Sequence, residues 1–274
     1  MLERLTHSYR IGVAPDGLAL LERTRGLRPR SRLLAEARMD AADGGAAVGN
    51  GLRRLLAEVP AAGRAVTVVL ADELARIWHV APPRGASRMA DLEAAAALRF
   101  QGLFGAPAAG WKISADWDAD RPFLAAAVPA PLLASLQEVA LEQRLHLVDI
   151  APRFVAALNG WRKLRRPGAW FAQVEGAVLT LAVFDAGAPA AVRTALVPAG
   201  AGRDWFEAHI AREALLVGAG EPALVQVCGA GEGHPARAWA CQAGGTGPAC
   251  MLLGAGDDSR LSGAARLAAT GSAA

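Results

Sequence analysis

Two short stretches of the 274-residue chain carry the residue types needed to hold a phosphate group. The first, Arg10-Ile11-Gly12-Val13-Ala14-Pro15-Asp16-Gly17, places Gly12, Asp16 and Gly17 around a tight turn. The second, Gln173-Val174-Glu175-Gly176, sets a carboxylate directly before a turn glycine. Glycines let backbone amides approach phosphate oxygens, and carboxylates position a divalent metal or an attacking water. Both stretches also have a structural explanation, because aspartate and glycine are favoured in turns for conformational reasons alone.

Other constellations offer less. Asp116, Asp118 and Asp120 alternate along one strand face, but the glycine and closing glutamate of a calcium loop are missing, so a solvated hairpin tip is expected. His7, His79, His146, His209 and His234 have no partners at metal or triad spacing, and no serine lies in a G-x-S-x-G elbow. Cys228, Cys241 and Cys250 are odd in number and widely spaced, which argues against a disulfide framework and a zinc site. The run Arg162-Lys163-Leu164-Arg165-Arg166 reads as a solvated helix end stopped by Pro167-Gly168.

The elements that must carry these residues follow from periodicity. Alternation through Tyr9 to Val13 and Leu18 to Leu21, joined by Pro15-Asp16-Gly17, predicts a hairpin, and Leu27 to Met39 supplies a third strand. Asp40 to Gly51 reads as loop and Leu52 to Val59 as helix, before the apolar run Ala65 to Leu70 predicts a strand buried on both faces. A strand at Ile77 to Val80, a helix at Ser87 to Phe104 and two strands flanking Asp118 to Arg121 come next. A helix to about Arg144, a strand at Leu145 to Ile150 and a helix opened by Pro152 complete the first pattern.

From Pro167-Gly168 the order restarts: strands at Ala169 to Val174, Ala177 to Phe184 and Ala190 to Val197, a helix from Asp204 to about Val217, and a strand at Glu221 to Val227. The architecture is duplicated in kind though not in letters. A last apolar patch covers Ala249 to Leu253, and the small-residue-rich tail reads as mobile, with "SRLSGAARLAA" able to form a short amphipathic helix. Trp78, Trp111, Trp117, Trp161, Trp170 and Trp205 sit at element ends and read as core and junction anchors.

Composition narrows the class. No window reaches the roughly 18 charge-free apolar residues that span a bilayer, and the first ten residues lack the layout of a secretory signal, so a cytoplasmic protein is expected. A formal charge of +3 is small for this length, and no nucleic-acid partner is predicted.

Two halves, each a three-stranded meander followed by helix and parallel strand, resemble the α/β actin-like (ribonuclease-H-like) duplicated fold, with two domains and a small inserted subdomain in the first half. Residues 1–167 would form the first half with the insertion at about 78–130, residues 168–256 the second, and residues 257–274 the mobile tail. Within that superfamily "IGVAPDGLALLE", "VTVVLAD", "DLEAAAALRFQGLFG", "HLVDIAPRFVAALN" and "WFAQVEGAVLTLAVFDAGAPAAVRT" resemble the PilM-type pilus assembly proteins and the cytoplasmic part of the type II secretion L component.

The resemblance implies a nucleotide cleft, whose remnants here would be Gly12, Asp16, Gly17, Glu175, Gly176, Gly229 and Gly231. The phosphate-hairpin aspartates of that superfamily match Ala14 and Val174, with Glu175 displaced by one position to the opposite strand face. With both carboxylates replaced, neither hydrolysis nor a metal is expected, and a degenerate nucleotide site stays open. The implied role is a non-catalytic scaffold at the inner face of the inner membrane. Its partners would be a bitopic membrane protein's cytoplasmic peptide, the assembly ATPase, or both, with membrane association through those partners and self-association into a homodimer left open. The alternative is an ATP-using enzyme of the actin and sugar-kinase superfamily with rebuilt phosphate loops.

Overall fold

The computed structural model describes residues 7–24, 30–39, 44–230, 233–241, 247–254 and 261–271. Strands β1 (His7–Ala14), β2 (Gly17–Thr24) and β3 (Ser31–Arg38) form an antiparallel meander, helix α1 (Gly44–Leu56) follows, and β4 (Ala65–Leu70) returns parallel to β1. An insertion then supplies β5 (Arg76–Val80), α2 (Met89–Phe104), β6 (Trp111–Ala115) and β7 (Phe123–Pro129), which make their own antiparallel sheet in the order β5-β7-β6. Helix α3 (Ala130–Glu142), strand β8 (His146–Pro152) and helix α4 (Arg153–Gly160) complete the first half, whose sheet order is β3-β2-β1-β4-β8.

The second half repeats this order without an insertion. Strands β9 (Trp170–Glu175), β10 (Val178–Asp185) and β11 (Ala188–Leu196) precede α5 (Arg203–Val217), β12 (Leu224–Cys228), α6 (Ala236–Cys241), β13 (Ala249–Leu253) and α7 (Gly263–Ala269). Its sheet order, β11-β10-β9-β12-β13, matches that of the first sheet strand for strand. No helix among the described residues is long and apolar enough to cross a membrane.

One face of each sheet is covered by helices from its own half. On the first, Val48, Leu52 and Leu55 of α1 join Leu132, Leu136 and Val139 of α3 over Ile11, Val13 and Val68. This corrects the expected loop at Asp40 to Gly51. Val48, Leu52, Leu55 and Leu56 recur at helical spacing, and a Cβ on Gly51 would lie 2.6 Å from Leu18 Cδ1, so that glycine permits close packing. On the second sheet Phe206 and Ile210 of α5 and Trp239 of α6 play the same part.

The opposite faces are covered by exchange between the halves. Phe154, Ala157 and Leu158 of α4, which follows the first sheet, pack on Phe171, Ala182, Cys228 and Leu253 of the second. Ala264, Ala265, Leu267 and Ala268 of α7, which follows the second sheet, pack on Ala14, Ala19, Leu21 and Val69 of the first. In the tail expected to be mobile, the stretch read as able to form a short amphipathic helix does so over Gly263–Ala269, and its small residues match the close approach that β1 allows; residues 257–260 and 272–274 of that tail lie outside the described residues. Both ends of α7 are satisfied: Ser262 Oγ accepts the Ala265 N–H at 3.1 Å, and Arg10 donates to the carbonyls of Ala268 and Thr270.

Gly12 is the contact point. A Cβ there would stand 1.9 Å from the Ala264 carbonyl oxygen and 2.8 Å from the Ala268 nitrogen. Gly12→Ala is therefore expected to push α7 off β1 and to lower stability by about 3 kcal/mol, measured by urea denaturation. A change below about 0.5 kcal/mol would show that α7 does not depend on this contact.

Candidate functional site

The two hairpins approach each other where the halves meet. Both have two-residue turns: Ala14 pairs with Gly17 across Pro15-Asp16, and Glu175 pairs with Val178 across Gly176-Ala177. Counting from the turns, Glu175 holds the place of Ala14, and Val174 the place of Val13. The expected match of Ala14 with Val174, with Glu175 on the opposite face, is thus one residue out of register. The second hairpin retains a carboxylate at the equivalent position.

That carboxylate is already engaged. Arg153, the first residue of α4 and only 8% exposed, places Nη1 2.7 Å from Glu175 Oε1. Its Nε lies 3.4 Å from Thr270 Oγ1, just past α7. Asp72, in the turn after β4, joins the halves more tightly. It accepts the Phe154 N–H at 2.9 Å and Gln173 Nε2–H at 3.1 Å. Burial pushes the Asp72 carboxyl up to about 6, with Glu175 adding to the shift; the Phe154 N–H bond, Arg153 and Gln173 oppose it. Glu73 is raised as well, by burial first and then by Glu175 and Asp16.

The expected cleft residues take different roles. Gly12 is covered by α7, and a Cβ on Gly17 would meet the Ala37 carbonyl at 3.2 Å, so both serve packing. Asp16 is exposed at the turn, where its carbonyl accepts the Met39 N–H at 2.9 Å. Gly176 has φ 52°, and its carbonyl is 2.9 Å from His234 Nε2. His234 Nδ1 accepts the Ala236 N–H at 3.1 Å, so the ring donates from Nε2 and steadies the second hairpin.

Gly229, at φ 80°, would bring a Cβ within 2.4 Å of the Val174 carbonyl, a backbone approach that requires glycine. Gly231 lies outside the described residues. Cys228 is buried, which pushes its thiol up to about 12.

Beside this junction is a half-open cavity of about 310 Å³ that takes in Arg153, Gln173, Gly229 and Ala230 but neither hairpin tip. Its floor residue Gln173 is 2% exposed, and its Oε1 has no hydrogen-bond partner among the described residues. Asp16, Asp72, Glu73 and Glu175 instead gather negative charge at the hairpin tips, which disfavours a phosphate there. Among the described residues no group of three His, Cys, Asp or Glu could hold a metal ion.

Asp72, Arg153 and Gln173 are absent from the sequence-based site. Gln173 carried a usable signal, a polar residue inside the buried strand β9. Asp72 and Arg153 carried none, since each looks like an ordinary charge at the end of an element. The remaining candidates are structural. Asp118 accepts the N–H groups of Asp120 and Arg121, both at 2.9 Å, and closes a hairpin turn. In the basic run Arg165 lies 4.9 Å over the Phe184 ring, and the Arg166 N–H donates to the buried Gln226 at 2.8 Å.

No protein-family model matches the sequence, and no curated protein matches it. Solved structures do match in shape. A Bacteroides thetaiotaomicron protein of actin-like ATPase fold and unknown function superposes with a TM-score of 0.58 at 10% identity, covering 92% of each chain. The cytoplasmic domain of EpsL, an inner membrane component of the Vibrio cholerae type II secretion system, gives 0.51 at 12% identity over 81% of each chain. A PilM–PilN type IV pilus biogenesis complex gives 0.48 at 19% identity, over 77% of this chain and 66% of that one. The fold of this chain is actin-like.

Within that fold the Asp72 bridge makes stability depend on pH. A raised carboxyl pKa penalises the folded state as pH climbs from about 4, where unfolded aspartate ionises, through about 6, to a total of roughly 3 kcal/mol. Asp72→Asn is expected to raise the denaturation midpoint at pH 7.5 and to lose that advantage at pH 4. The same change at both pH values would remove this electrostatic account.

Proposed function

We propose that this chain is a non-catalytic, actin-like scaffold of a type IV pilus or type II secretion assembly platform. It works in the cytoplasm at the inner membrane and binds the cytoplasmic peptide of a bitopic membrane protein, the assembly ATPase, or both. The observation that carries this reading is the state of the two hairpins. The first presents Ala14, and the carboxylate of the second is held by Arg153 at 2.7 Å. Two carboxylates facing each other across bound phosphates are what metal-assisted hydrolysis on this frame would use, and this pairing does not supply them. The likeness in fold to the EpsL cytoplasmic domain supports the choice of system.

Co-purification from native membranes, together with a phosphate-release assay on magnesium-ATP, tests the proposal. Recovery with inner-membrane assembly proteins and release no faster than buffer are expected. Turnover above background, or recovery only in a soluble complex with a metabolic enzyme, would overturn it.

A further inference from the structure

The basic run after α4 is held more firmly than a solvated helix end requires. Arg162–Leu164 form a short 3-10 turn, in which the Leu164 N–H donates to the Trp161 carbonyl at 2.9 Å. Gln226, 1% exposed at the centre of β12, clamps the backbone on either side of Arg165. Its Nε2–H donates to the Leu164 carbonyl at 2.9 Å, and its Oε1 accepts the Arg166 N–H at 2.8 Å. A buried amide satisfied at both ends by a surface turn fixes the shape of that turn before any partner arrives.

What the turn presents is an apolar knob among cations. Leu164 is 58% exposed, and Arg162, Lys163 and Arg166 beside it are exposed as well. Arg165 is half-buried over the Phe184 ring, and its Nε has no hydrogen-bond partner among the described residues. None of the four cations forms an ion pair with a carboxylate among the described residues. Burial lowers the pKa of Arg165, and the neighbouring Arg162, a like charge, lowers it further. The run alone outweighs the formal net charge of +3 on the whole chain. Residues 255–260, which follow Gly254 beside Trp161, carry Asp257, Asp258 and Arg260, a counter-charge smaller than that of the run.

We propose that this turn contacts an anionic phospholipid surface directly, its exposed cations on the headgroup phosphates and Leu164 entering the boundary between headgroups and acyl chains. Guanidinium groups suit phosphate oxygens, which they engage through paired hydrogen bonds. Three exposed cations near such a surface raise partitioning on the order of a hundredfold, and one buried leucine adds to it. An acidic peptide would need a groove or a strand edge to fix it, whereas a knob ringed by cations fits a fluid surface. This contact needs lipid alone and stands apart from the assembly role proposed above.

Sedimentation of the intact chain with vesicles tests the assignment, comparing phosphatidylcholine alone with a mixture of phosphatidylcholine and phosphatidylglycerol. Binding to the anionic vesicles at least about tenfold above the neutral ones is expected, with a sharp fall when salt is raised about tenfold. Arg162→Glu combined with Lys163→Glu should weaken it by about tenfold or more. Leu164→Ser, which leaves the charge unchanged, should weaken it by about threefold. All three side chains are exposed, so an unchanged thermal midpoint checks folding of the variants. Equal binding to the two kinds of vesicle, or undiminished binding in either variant, would overturn the proposal. Tighter binding of poly-glutamate than of the anionic vesicles would overturn it too, and would assign the run to an acidic protein segment.

Discussion

Everything at the centre of this molecule depends on the contact between Gly12 and α7. The helix axis lies so close to β1 that the space of one methyl group is taken by the Ala264 carbonyl. Small residues on both sides make that approach possible, and Arg10 holds the far end of the helix through the Ala268 and Thr270 carbonyls. Burial pushes Arg10 down to about 10, a cost that capping two orphan carbonyls offsets. With α4 covering the second sheet in the reciprocal way, separating the halves would expose an apolar face of each sheet. The duplicated units are thus one cooperative body joined by exchanged helices.

Exchange also decides the electrostatics of the junction. Helix α4 begins with Arg153-Phe154, and these two residues meet Glu175 and Asp72 respectively. The Phe154 N–H is one of the first, otherwise unpaired, donors of the helix, and the Asp72 carboxylate from the turn after β4 is a suitable acceptor. Gln173 then ties the same carboxylate to the second sheet. Polar groups that could serve a ligand in an open cleft are here spent on holding the cleft together.

Much of the frame was legible in the sequence, because it follows from periodicity and turn residues. The meanders, the strand at Ala65 to Leu70 and the insertion stand where the apolar spacing and the Pro-Gly breaks put them. What escaped is long-range. Gly44 to Gly51 looks like loop until the groove over Leu18 that requires Gly51 is visible. The tail looks mobile because its alanines have little to pack on locally, and their partner surface lies some 250 residues earlier, as the Arg10 to Ala268 bond shows with a separation of 258. The register of the second hairpin was hidden for a related reason: the letters do not show where its turn lies, and the two-residue turns align Ala14 with Glu175 rather than with Val174.

The asymmetry between the hairpins follows from what each exchanged helix brings to its tip. Glu175 can stay because α4 delivers a guanidinium to it. Ala14 lies in an apolar cluster with Ala264, Ala265 and Leu267 of α7. An aspartate at position 14 would be buried next to methyl groups, at a cost of several kcal/mol without a partner. Alanine in the first hairpin and glutamate in the second are therefore coupled to the sequences of α7 and α4. A carboxylate at position 14 would therefore call for a different α7 to accommodate it.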